Sequence, residues 1–242
     1  MCALISEERI FEIKKSAIDT LILCDVIMIP ITAPGVAYQL LKDETKFIPY
    51  SSLLDDHNTN INDIIKKFNT KDGITIYKDK IYYVFFNDVT HHGREQFTLA
   101  HELAHIFLGH IFIMQSKALT PEEKKILEYE ANIFAAEILA PTSILYLLEK
   151  INNGDLNWKQ IHNVFHTSEQ ASKIILEVYK DSRCQDMQEY RFNELIEKLN
   201  LFIPKNVGLN GYKTYVMHNQ MYQNLDKMHV SNIMKDKIFN KK

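Results

Sequence analysis

Residues 97–110 read FTLAHELAHIFLGH. Two histidines, His101 and His105, stand four apart, with Glu102 directly after the first. Ala100, Leu103 and Phe107 recur at helical spacing and Gly109 supplies a natural stop, so the stretch predicts an apolar helix from about Arg94. Residues four apart on a helix share one face, one turn above the other. His101 and His105 can therefore offer imidazole nitrogens to a single ion, which for zinc lies about 2.0–2.1 Å from each nitrogen. Glu102 is turned roughly 100° around the axis, too far to join that face, but its carboxylate can reach a water beside the metal. H-E-x-x-H thus offers two ligands and a general base in a turn and a half of helix. A core helix with incidental histidines is the competing reading, and the strands expected just before the helix weigh against it.

A catalytic zinc needs a third protein ligand and an open fourth position. The extended pattern H-E-x-x-H-x-x-G-x-x-H fails, because its glycine and last histidine would fall on Leu108 and Ile111. Gly109 and His110 are each one place out of register, and His110 reads as a residue just past the helix end. A carboxylate from a second helix is the remaining source. Residues 126–141, ILEYEANIFAAEILAP, carry Glu128, Ala131, Asn132, Ala135 and Ile138 on one helical face and Glu130, Ile133, Phe134 and Glu137 on another. Two alanines on the first face allow a close helix approach, which favours Glu128 as the third ligand. Asn132, one turn later, is placed to fix a ligand histidine's tautomer. Glu130 is the alternative ligand, and otherwise reads as part of a solvated charged face.

Outward from this core, GITIY and IYYVFFN flank a polar KDK turn and predict a hairpin over 74–87. Helices are expected over about 6–24, at VAYQLLKD and INDIIKKF, from the strong TPEE start at Thr120 to about Leu139, and as a pair split near His166-Thr167. A further helical piece falls at RFNELIEKLN, and the DDHNTN run reads as a loop. The expected fold class is α+β: a zincin-like domain over 1–150 with a small antiparallel sheet, a helical helix-turn-helix-like subdomain over 151–182, and a C-terminal extension over 183–242.

Two stretches also carry a family resemblance. GREQFTLAHELAHIFLGH followed by LEYEANIFAAEILAP resembles the ImmA/IrrE family of intracellular metallopeptidases, whose members show R-x-x-F-T-L-A-H-E-L-G-H and then E-x-E-A-N-x-F-A-A-x-L-L-M-P. VFHTSEQASKI, residues 164–174, echoes the family's trailing F-x-V-S-x-x-A. Ala104 stands for the usual glycine and Ala140 for the usual methionine. The resemblance covers roughly residues 10–180. It implies Zn2+ held by His101, His105 and Glu128, with Glu102 as the catalytic base. It also implies a regulatory peptidase whose protein substrate is a helix-turn-helix repressor of a mobile element or stress regulon. A protein that holds zinc and sequesters its repressor without cutting is the rival within the same resemblance. Non-haem iron suits the same ligand set, but Glu102 directly after His101 favours hydrolysis. Tyr129, His162 and His166 are candidates for stabilising the oxyanion, each more often a packed or surface residue.

The bulk properties agree. The 242 residues are 46% hydrophobic with a net charge of −3, so overall charge gives no sign of a nucleic-acid or membrane-surface binder. Cys2, Cys24 and Cys184 are isolated and odd in number, as reduced cytoplasmic thiols would be. LILCDVIMIPITAPGVAY is interrupted by Asp25, Pro30 and Pro34 and lacks the roughly 20 apolar residues of a membrane span. In the 155–180 pair, only Lys173 and Lys180 serve the second helix as cations against two acidic residues, so packing on the core is expected there and direct DNA binding is not. The tail is basic and rich in Met and Tyr, which would suit a partner surface or an ordinary extension.

Overall fold

The computed structural model describes residues 5–25, 27–54, 60–89, 92–152, 154–181 and 190–200. The chain runs through α1 (Glu7–Leu23), α2 (Ala33–Leu40), β1 (Thr45–Pro49), α3 (Ile61–Phe68), β2 (Gly73–Lys78), β3 (Ile81–Phe86), α4 (His92–Phe107) and α5 (His110–Ser116). It continues through α6 (Pro121–Leu139), α7 (Thr142–Ile151), α8 (Trp158–Phe165), α9 (Glu169–Lys180) and α10 (Phe192–Asn200). The mixed α+β class follows the sequence reading. Most of the tail, and most of the DDHNTN run, lie outside the described residues.

Local chemistry sets the element ends. The Ser6 hydroxyl accepts the Arg9 amide at the start of α1. Thr120 and Glu123 close a reciprocal capping box on α6, with Pro121 at its first position. Asn157 and Gln160 do the same for α8, and Ser168 caps α9 after His166 turns the chain in a left-handed conformation.

The sheet corrects one expectation. It is mixed, not antiparallel, with strand order β1-β3-β2. β2 and β3 form the expected hairpin, with Gly73 opposite Phe86 and Lys78 opposite Ile81. Asp79 and Lys80 both have positive φ, as a tight two-residue hairpin turn requires. β1 adds on the far side of β3 in parallel, Thr45 opposite Tyr82 and Pro49 opposite Phe86. The reason is that β3 is the central strand and is buried on both faces, which its unbroken apolar run permits. Tyr82, Val84 and Phe86 face the main core, while Tyr83 and Phe85 join Ile48, Tyr50 and Ile64 in a second one.

The main core holds α4 between the sheet and α6, and α1 lies against the other side of α6. Sandwiched in this way, α6 is buried almost all round from Glu130 to Leu139. α9 packs on both α6 and α4. No single helix among the described residues is long and apolar enough to cross a membrane.

Candidate metal centre

Two glycines let the neighbours of α4 come close. A Cβ on Gly73 would lie 2.9 Å from Thr98 Cγ2 and 3.2 Å from Glu102 Cγ, so the bare glycine brings the start of β2 against the helix at Glu102. A Cβ on Gly93 would lie 2.4 Å from the Ser168 amide nitrogen, so the α8–α9 turn sits directly on the first turn of α4. The edge strand and α9 thereby become walls of a cleft of about 850 Å³, whose lining includes His101, Glu102 and His105 from α4 and Glu128 from α6.

The two histidines and Glu128 converge. His101 Nε2 lies 3.1 Å from His105 Nε2 and 3.1 Å from Glu128 Oε2, and His105 Nε2 lies 3.7 Å from Glu128 Oε1. Donors 2.0–2.2 Å from a tetrahedral centre stand about 3.3–3.6 Å apart, and the observed separations bracket that range within about 0.2 Å. Asn132 Oδ1, 3.1 Å from His101 Nδ1, can only accept, so Nδ1 carries a proton; burial would lower the His101 imidazole, but the Glu128 contact raises it above its usual range, so its Nε2 donates to Glu128 until an ion displaces that proton. Burial and the neighbouring His101 push the His105 imidazole well below its usual range, which keeps it neutral. The His101 contact, working against desolvation, holds the Glu128 carboxyl below the ordinary range. Two imidazole nitrogens and a carboxylate therefore face one point, and this group can hold a metal ion.

Glu102 is turned away from that point, as its place one residue after His101 requires. Its side chain is buried, and Oε2 accepts a 2.8 Å hydrogen bond from the Thr75 hydroxyl on the edge strand. Burial raises its carboxyl above the ordinary range, with His101 and the Thr75 bond acting in the opposite direction. A carboxylate with one oxygen tethered and a raised proton affinity suits a general base.

The structure adds burial and partners to the reading of His110 and overturns that of Glu130. His110 lies past the end of α4, as read from the sequence, where it opens α5 and is fully buried. Its Nδ1 lies 3.0 Å from His105 Nδ1 and its Nε2 3.0 Å from Glu130 Oε2. Glu130 is not on a solvated face, and it does not reach the three converging donors. It is only 5% exposed and is gripped by Arg9, whose Nε and Nη2 each donate at 2.8 Å. Neither Arg9 nor this pairing was legible beforehand, because the contact spans 121 positions of sequence. Among the oxyanion candidates, Tyr129 packs against the main core, His162 engages the Thr167 carbonyl and His166 forms the α8 cap; none of the three lines the cleft.

No curated protein and no solved structure matches the chain. The family model described as the IrrE N-terminal-like domain, a peptidase family, matches residues 56–176, which is half of the chain. The matched span contains α4 and α6 entire, and so all the converging donors. A metallopeptidase family implies a metal, and its natural place is the group just described. On a match of that extent over those elements, the chain belongs to the ImmA/IrrE family.

Proposed function

We propose that the protein is a zinc-dependent regulatory peptidase that cuts a helix-turn-helix repressor. The observation that carries the chemistry is the convergence of His101 Nε2, His105 Nε2 and the Glu128 carboxylate, beside a tethered Glu102 and an edge strand. Zinc bound there would supply an acidified water and polarise the scissile carbonyl. His101, His105 and Glu128 would hold the ion, and all three line the cleft through which a substrate would reach it. Glu102 takes a proton through its free oxygen while Thr75 holds the other, then passes the proton to the leaving amine. The substrate lies extended along β2, which has no strand partner on its cleft side among the described residues and so offers main-chain hydrogen bonds. α9 walls the cleft in this reading with α8 packed against it, and the pair does not read DNA.

The test is incubation of the zinc-loaded full chain with the repressor encoded beside it, wild type in parallel with Glu102→Gln, followed by intact-mass measurement. A discrete cut by wild type alone is expected. A complex without a cut in either would replace the peptidase with a zinc-containing protein that sequesters its repressor. Equal cutting by both would remove Glu102 from the chemistry.

A further inference from the structure

The buried chain His105–His110–Glu130–Arg9 joins the candidate metal centre on α4 to the first turn of α1. We propose that His110, Glu130 and Arg9 are a positioning relay that fixes the tautomer of His105 and thereby sets the affinity for the metal. The inference rests on reading His105 as a ligand.

The direction of the relay follows from its ends. Arg9 can only donate, and its two 2.8 Å bonds lock Glu130 as a carboxylate that can only accept. His110 Nε2 must then carry a proton to donate to Glu130 Oε2 at 3.0 Å. In a neutral His110 this leaves Nδ1 as a lone pair, which accepts from His105 Nδ1 at 3.0 Å. His105 then has its proton on Nδ1, and its Nε2 lone pair faces His101 Nε2 and Glu128. The opposite arrangement would point a His105 proton into the metal position and set a bare nitrogen against a carboxylate.

Solvent does not interfere, since His110 is 0% and Glu130 5% exposed. The backbone is shaped for the contact. Gly109 takes a left-handed conformation, φ 72°, and bends α5 away from α4 by 67°, which swings His110 beneath His105 although it lies five residues later. His101 has its own tether in Asn132, so each ligand histidine is oriented by a separate element of the fold.

The experiment measures zinc affinity of the full chain by competition with a chromophoric chelator, for wild type and for His110→Leu, His110→Gln and Glu130→Gln. Thermal melting of the metal-free proteins reports folding separately. His110→Leu and Glu130→Gln are expected to weaken zinc about 10–100-fold, the usual effect of losing a partner of a ligand histidine. His110→Gln should stay within a few-fold of wild type, because its amide oxygen accepts and its NH2 donates in the same direction. A folded His110→Leu with wild-type affinity would overturn the relay, as would His110→Gln as weak as His110→Leu. If His110→Leu does not fold, Glu130→Gln and Arg9→Met decide, and unchanged affinity in both overturns the proposal. A long-range 1H–15N spectrum of the zinc-loaded protein reads the tautomers directly: a proton on both nitrogens of His110, facing a bare His105 Nδ1, would contradict the proposed direction. Wild type that binds no zinc would remove the metal centre itself, whereas zinc-binding wild type with unaffected variants removes only the relay.

Discussion

Thr75 and Glu102 show how one hydroxyl can decide the use of a carboxylate. The Thr75 bond holds Oε2 of a carboxylate that lines the cleft. Thr75→Val keeps the shape of the side chain and removes the donor. A hydrogen bond to a charged group contributes about 1.5–3 kcal/mol, so kcat for the proposed cleavage is expected to fall about 10–100-fold while zinc content stays at the wild-type level. Unchanged kcat would mean that packing alone orients Glu102. At this scale the sequence was legible where the candidate site sits on one helix. His101, Glu102 and His105 announce themselves by spacing, since a helix brings residues four apart together. Glu128 and Asn132 followed from the pattern of a second helix. His110, Glu130 and Arg9 did not, because their meeting depends on a left-handed bend at Gly109 and on the packing of α1 beside α6.

Between elements, close approach matters more than any single side chain. Gly93 lets the α8–α9 turn rest on α4, and with that turn comes the α9 wall of the cleft. Gly93→Ala would drive a methyl group into the Ser168 backbone, which cannot rotate away as a side chain can. A loss of roughly 1–3 kcal/mol in stability is expected from such overpacking, measured by denaturant unfolding of the metal-free protein. A change within a few tenths of a kcal/mol would mean that α9 is free to shift. The hairpin was legible from its β-branched and aromatic runs, but β1 was not. Its five residues, TKFIP, carry only two consecutive apolar side chains and end in proline, too little to distinguish a strand from a loop. The parallel pairing that makes the sheet mixed is fixed by the two-faced burial of β3, a tertiary property.

Across the whole molecule, α6 is the common support. It carries Glu128 toward the cleft, Glu130 toward Arg9, and Glu137 into the core, where its carboxylate accepts from the Thr142 amide at 2.7 Å and hydroxyl at 2.6 Å. Lys14 of α1 is fully buried beside it, 3.6 Å from Glu137 and 3.0 Å from the Thr142 hydroxyl. This ion pair joins α1, α6 and α7 with no access to water. Lys14→Met would leave Glu137 buried without its cation, and breaking such a pair costs about 3–5 kcal/mol. The expected result is a large drop in melting temperature; a melting point equal to wild type would show that Thr142 alone satisfies Glu137. Apolar stripes in the sequence predict the helices, but a lysine at a core position is visible only once its partner is in place.

The central claim is that three side chains from two helices hold one metal ion, and metal stoichiometry tests it most directly. Full-length wild type, Glu102→Gln, His105→Ala and Glu128→Ala would each be equilibrated with zinc, desalted and measured by native mass spectrometry. One zinc per chain is expected in wild type and in Glu102→Gln, and none is expected to survive desalting in His105→Ala or Glu128→Ala. Zinc retained in full by Glu128→Ala, or absent from wild type, would contradict the account.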